Sequence, residues 1–212
     1  SADTNSATDP DNDGVPWGRE IYIYHTSPTN SDTDGDSYED GYEISQGTSP
    51  TNSSSIPTSS ISGIVSTDSS QTGAIWVAAC TNSTLWSSQW STNVQTTGTY
   101  TIAGVPLLRN YWIKAWRDSN GNCSNDYWEA NGTSASNPVY LTAAASNMDV
   151  TLADPDMDAD GMPDWLELKY WDGPTNGVAS ADDDDDGMPN GWEAIHGLNP
   201  VAGVSTNIVG WW

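Results

Sequence analysis

The residues Ala181–Glu193, "ADDDDDGMPNGWE", place five carboxylates side by side and then stop at a glycine and a tryptophan–glutamate pair. So much like charge in so short a span must be either solvated or neutralised, and a solvated acidic tail lacks such an ending. Counted from Asp182, acids fall at loop positions 1, 3 and 5 (Asp182, Asp184, Asp186), glycine at 6 (Gly187) and Glu193 at 12. The spacing recurs three times, once with Ser37 at the glycine position. It is carried by Asp9, Asp11, Asp13, Gly14 and Glu20; by Asp32, Asp34, Asp36, Asp40 and Glu43; and by Asp156, Asp158, Asp160, Gly161, Asp164 and Glu167.

Alternate acids on a tightly turned segment, closed by a glutamate at position 12, are the donor set of a hard cation such as calcium, which takes six to eight oxygens. In this register Val15, Tyr38, Met162 and Met188 at position 7 contribute backbone carbonyls, and Asn190 stands at position 9 of the last loop. Asp183 and Asp185 fall between the ligands and are expected to face solvent. A fifth, less charged copy offers Asp118, Asn120, Asn122, Asp126 and Glu129, with Cys123 at the turn position. It reads either as a calcium site or as an Asx-turn loop between strands.

The charge balance follows this pattern. Against 5 Lys+Arg stand 29 Asp+Glu, for a net charge of −24, and 24 of the 29 acids lie in the five loops. Five divalent cations would add ten positive charges and reduce −24 to −14. The acidity argues against nucleic acid and anionic lipid as partners, both of which recruit basic patches. No apolar run is long enough to span a bilayer. The polar start Ser1-Ala2-Asp3 carries no signal sequence, as expected of a processed secreted protein. Sequons start at Asn52, Asn82, Asn122 and Asn131, usable only in that setting.

EF-hands require a helix before each loop, and neither "SADTNSAT" nor "GPTNGVASA" can form one. Proline occupies position 8 at Pro16, Pro163 and Pro189. Only short helical turns fit after each loop ("EIYIYH", "EISQ", "ELKYW", "EAIH") before a Gly or Pro cluster ends them. This combination resembles bacterial thrombospondin type-3 repeats over about residues 8–52 and 154–200, two repeats per block. The resemblance implies small calcium-organised units with little apolar core. Ser37, Trp17 and Asn190 depart from the family pattern.

Between the blocks, "SISGIVST", "GAIWVAAC", "GTYTIAGV", "NYWIKAWR", "PVYLTAA" and "NMDVTLA" alternate with turn residues. The expected fold is mainly β: a seven-stranded antiparallel β-sandwich over residues 58–153, flanked by repeat blocks at 1–57 and 154–212. The sandwich resembles transthyretin-like, carboxypeptidase regulatory-like modules and the B-type repeats of Gram-positive adhesins, a likeness that favours calcium in the fifth loop. Cys80 and Cys123 could pair in an oxidising compartment. In "YWIKAW" the two-residue period separates Tyr111, Ile113 and Ala115 from Trp112, Lys114 and Trp116. The second set, joined by Trp76, Trp86 or Trp90, forms either an aromatic platform for glycans or a partner, or a covered face.

With 12 Trp and no Phe, tryptophan must supply much of the core volume, so its abundance alone does not indicate binding. Nucleophile–base order, zinc spacing and phosphate-binding glycine loops are missing from the sequence, and His25 and His196 fall at the ends of short helices. The chain therefore reads as a non-enzyme: a secreted, calcium-stabilised structural or adhesive protein of a filament or surface assembly. The apolar end Ile208–Trp212 or the Trp-rich face would then mediate self-association. The alternative is a carbohydrate-binding or spacer module of a larger polysaccharide-acting enzyme.

Overall fold

The computed structural model describes residues 8–203. The apolar end Ile208–Trp212 lies outside them. The alternating central runs form eight strands: β1 (Thr58–Thr67), β2 (Ala74–Cys80), β3 (Ser91–Val94), β4 (Gly98–Pro106), β5 (Arg109–Asp118), β6 (Asn131–Thr133), β7 (Val139–Leu141) and β8 (Val150–Leu152). They make a three-stranded sheet of order β4-β1-β8 and a five-stranded sheet of order β3-β2-β5-β6, with β7 also paired to β5.

The expected count of seven antiparallel strands is thus exceeded by one. β1 and β8 also pair in parallel, with Val65 opposite Val150 and Thr67 opposite Leu152. Each difference has its own physical origin. Side-chain alternation is identical whichever way a strand runs. The short polar runs Ser91–Val94 and Asn131–Thr133 carry no apolar rhythm at all.

The core is drawn from one face of β2 and β5 together with inward residues of the other sheet. Ile75, Val77 and Ala79 lie opposite Arg117, Ala115 and Ile113. Ile61, Val65, Ile102, Val150 and Leu152 are also buried.

The chain divides into two compact units. One gathers the described residues up to Ser60 with Ala103–Arg109 and Leu141–Ala144. In it the Tyr38 hydroxyl donates to the Leu107 carbonyl (2.8 Å), Leu107 N–H to Pro57 (3.0 Å) and Leu108 N–H to Leu141 (2.7 Å). The other unit holds the remaining sandwich and the described residues from Ala145 onward.

Four short helices follow the acidic loops: α1 (Trp17–Arg19), which passes into a π-helical turn (Glu20–Tyr24), α2 (Asp40–Gln46), α3 (Asp164–Trp171) and α4 (Asn190–Ile195). Each begins at loop position 9, three residues before the closing glutamate. Position 8 is the residue in front of the helix and is extended: φ −63°, ψ 139° at Pro16; −64°, 143° at Pro163; −69°, 141° at Pro189. Proline has this φ built in. Its place at position 8 launches the helix, and Glu39 adopts the same conformation without the ring (φ −71°, ψ 142°).

Candidate metal centres in the acidic loops

All five loops share one backbone path. The residue at position 4 is left-handed in each: Asn12 (φ 60°), Gly35 (78°), Gly121 (78°), Ala159 (58°) and Asp185 (60°). So is the residue at position 6: Gly14 (91°), Ser37 (81°), Cys123 (61°), Gly161 (95°) and Gly187 (90°). Ser37 and Cys123 take up a conformation that glycine adopts without penalty, so the departures from glycine leave the turn intact.

The side chains wrap the turn in the same way each time. The position 6 N–H donates to the position 1 carboxylate: Gly14 to Asp9 (3.0 Å), Ser37 to Asp32 (2.9 Å), Cys123 to Asp118 (3.1 Å), Gly161 to Asp156 (3.0 Å) and Gly187 to Asp182 (2.9 Å). The position 7 N–H donates to position 5: Val15 to Asp13 (2.7 Å), Tyr38 to Asp36 (2.9 Å), Ser124 to Asn122 (2.7 Å), Met162 to Asp160 (2.9 Å) and Met188 to Asp186 (3.0 Å). These bonds hold the acids on the backbone; Asp32 and Asp182 use both oxygens for it, through Asp36 and Ser37 N–H and through Asp186 and Gly187 N–H.

In four loops the acids at positions 1, 3 and 5 converge. Asp9/Asp11/Asp13, Asp32/Asp34/Asp36, Asp156/Asp158/Asp160 and Asp182/Asp184/Asp186 each bring one carboxylate oxygen per residue within 4.8 Å of one another, and each cluster could hold a metal ion. Buried carboxylate oxygens without a hydrogen-bond partner accompany every cluster. They are Asp9 Oδ1, both oxygens of Asp11 and Glu20 Oε2; Asp34 Oδ2, Asp36 Oδ2 and both oxygens of Glu43; Asp156 Oδ1, Asp164 Oδ2 and Glu167 Oε2; and Asp184 Oδ2 with both oxygens of Glu193. An anionic oxygen stripped of water and given no donor is costly unless a cation faces it.

The closing glutamates Glu20, Glu43, Glu167 and Glu193 are all 0% exposed. Burial, reinforced by Asp11 and Asp13, pushes the Glu20 carboxyl up to about 7. Burial reinforced by Asp36 does the same for Glu43. For Glu167 burial again leads, opposed by a donated Gly177 N–H and reinforced by Asp158 and Asp160, and it too reaches about 7. Two of these glutamates keep a secondary partner on one oxygen: Thr26 Oγ1 to Glu20 (3.3 Å) and Gly177 N–H to Glu167 (3.0 Å).

Position 9 has a structural duty that spacing alone did not reveal. Its side-chain oxygen accepts the position 2 N–H: Thr33 to Asp40 (2.8 Å), Met157 to Asp164 (2.7 Å) and Asp183 to Asn190 (3.0 Å). The Thr33 hydroxyl adds a second bond to Asp40 (2.7 Å). Asn190 turns its amide N–H₂ to the Val178 carbonyl (3.2 Å), so its role is that of a clamp. The first loop has Trp17 at position 9 and Pro10 at position 2. Proline has no N–H to be clamped, so a residue without an acceptor is tolerated there. The paired exception is visible in the sequence once the bond is known. Asp185 is exposed, as expected, whereas exposed Asp183 also accepts the Trp171 indole N–H (2.8 Å).

The fifth loop follows the same path but closes on itself. Asp126 accepts amide bonds from Asn120 (2.7 Å) and Asn122 (2.9 Å), and Glu129 accepts the backbone N–H of Ser119 (2.6 Å) and of Asp126 (3.2 Å). No carboxylate oxygen among Asp118, Asp126 and Glu129 is left buried and unpartnered. The amides of two asparagines thus hold Asp126, while Asn125 Oδ1 stays buried without a partner.

The outer face of β2 and β5 pairs Trp76 with Trp116, Ala78 with Lys114 and Cys80 with Trp112. It does not form an open strip. Trp76 and Trp116 stack at 6.3 Å, Trp86 meets Trp116 edge-on at 6.5 Å, and Trp116 is only 3% exposed. Lys114, on the same face, is buried. Its ammonium donates to the Ser83 and Leu85 carbonyls (2.7 and 2.5 Å) and lies 4.8 Å from the Trp86 ring centre. These bonds draw the segment 81–90 over the aromatic rings. Cys80 beneath it and exposed Cys123 are both free thiols.

No family model, no curated protein and no solved structure matches this chain. Among the described residues no helix is long and apolar enough to cross a membrane.

Proposed function

We propose that this chain is a calcium-stabilised structural or adhesive protein acting outside the cell as a subunit of a filament or surface assembly, built from thrombospondin type-3-like repeats around a transthyretin-like sandwich. The observation that carries this reading is the set of buried, unpartnered carboxylate oxygens repeated in the four loops. Calcium fits the donors better than magnesium. The set is all oxygen and ends in a glutamate able to bind through both oxygens, whereas magnesium keeps several waters. Extracellular modules of this kind bind weakly enough to need the calcium levels found outside cells. In this reading the cations add to small apolar clusters, such as Met162, Leu166 and Ala194, and stiffen the repeats.

The assembly part is tested by sedimentation velocity and negative-stain electron microscopy of the full chain in calcium and in chelator. Ordered assemblies that form in calcium and dissociate in chelator are expected. A monodisperse monomer at all calcium concentrations would contradict the assembly reading while leaving the metal sites standing.

A further inference from the structure

The two N-terminal loops are joined by a contact that the two C-terminal loops lack. Asp13, at position 5 of the first loop, Glu20, which closes it, and Asp40, at position 9 of the second loop, bring carboxylate oxygens within 4.8 Å of one another. Glu20 and Asp40 are 0% exposed, and Glu20 Oε2 has no hydrogen-bond partner. The first loop lacks its own acid at position 9, where Trp17 stands. The second loop supplies one. Backbone packing fixes the approach: Gly41 N–H donates to Asp13 (3.2 Å), and a Cβ on Gly41 would lie 2.0 Å from the Asp13 carbonyl oxygen. Only glycine next to Asp40 lets the loops come this close.

The C-terminal pair is connected differently. Its position 9 residue in the second loop is Asn190, whose oxygen holds Asp183 N–H and whose amide holds the Val178 carbonyl. Asp160 receives a backbone N–H from Ala179 (2.6 Å), and Gly191 N–H goes to the Ala179 carbonyl (3.0 Å). Among the described residues no carboxylate cluster spans those two loops.

We propose that Asp40 is a carboxylate shared between the two N-terminal cation sites, so that this pair fills as a coupled unit while the C-terminal pair fills site by site. The inference rests on the reading of the loops as calcium sites. An ion in the second loop fixes Asp40 and places its charge beside the first site. An ion in the first loop relieves the repulsion among Asp13, Glu20 and Asp40. Each ion therefore favours the other, with a coupling in the usual range of about 5–150-fold.

The test is a calcium titration of the full chain followed by amide NMR. Gly14, Ser37, Gly161 and Gly187 each donate to the position 1 carboxylate of their own loop and so report one site apiece. The variant D40N retains an oxygen for the Thr33 N–H, as Asn190 does for Asp183. The expected result is that D40N moves both the Gly14 and the Ser37 midpoints to at least about tenfold higher calcium. E43Q should displace Gly14 as well as Ser37, whereas E193Q should displace Gly187 and leave Gly161 within about twofold. If all four resonances saturate but Gly14 ignores both D40N and E43Q, the sharing is overturned and the calcium reading survives. If none saturates in the unsubstituted chain, the calcium reading falls and takes this inference with it.

Discussion

Replacing Glu43 by glutamine should have opposite effects with and without calcium. Both oxygens of Glu43 are buried without a partner, and burial beside Asp36 holds its carboxyl at about 7 rather than the ordinary 4.5. In chelator at pH 8 the charge is therefore forced onto a site that resists it. That would cost about 3 kcal/mol unscreened, and solvent screening leaves ~1–2 kcal/mol. Glutamine removes the charge and with it the repulsion from Asp36 and Asp34. The metal-free variant should be more stable by ~1–2 kcal/mol, a rise of roughly 2–8 °C in Tm for a chain of this size.

In calcium the sign reverses. At a concentration of about 100 times the site's Kd, binding stabilises the unsubstituted loop by ~2.7 kcal/mol. Loss of a closing ligand weakens the site about 100-fold, which leaves the variant only ~0.4 kcal/mol of that gain. Calorimetric scans of both proteins in calcium and in chelator should show the curves crossing. If E43Q destabilises the chain equally in both conditions, Glu43 is a structural residue and the ligand assignment is wrong.

Chelation should expose α2 and α3 to protease while β2 and β5 stay protected, because Ile75, Val77, Ile113 and Ala115 pack without help from an ion; equal resistance of both regions would contradict this. The metal-free protein should lose stability as pH rises from about 4.5 to about 7. Glu20, Glu43 and Glu167 hold protons in the fold that the unfolded chain has released, so their contribution is full below about 4.5 and gone above about 7. Urea titrations in chelator across this window should show the midpoint falling with pH, and a midpoint that rises instead would contradict it. W17D alone should leave calcium binding in the first loop within about twofold of the original, since Pro10 offers no N–H for the new acid to clamp. P10S/W17D together should restore the bond seen at Thr33–Asp40, a non-additivity measurable by a double-mutant cycle.

Much of the loop architecture was legible in the sequence because the chemistry is local. The position of each acid relative to Gly14, Ser37, Gly161 or Gly187 fixes which side chain reaches which backbone N–H, and five segments repeat the solution. The position 9 clamp was not legible, because an aspartate that accepts an N–H looks the same in sequence as one that binds a cation. Only the Pro10/Trp17 exception points to the bond. The fate of Lys114 was also hidden. Period-two alternation assigns it to the outer face of β5, but whether that face meets water depends on the segment 81–90, which has no alternation of its own. The parallel pairing of β1 with β8 was out of reach for the same reason that alternation carries no direction. The fifth loop shows the limit of spacing as evidence: its path matches the others, yet Asn120 and Asn122 satisfy Asp126 from within.

In the proposed reading calcium completes four loops and not the fifth. Isothermal titration of the calcium-free full chain measures this directly, with magnesium as the competing ion. Four equivalents of calcium per chain are expected, retained in excess magnesium and reduced to three by E193Q. No saturable binding, or the same isotherm with E193Q as without it, would contradict it.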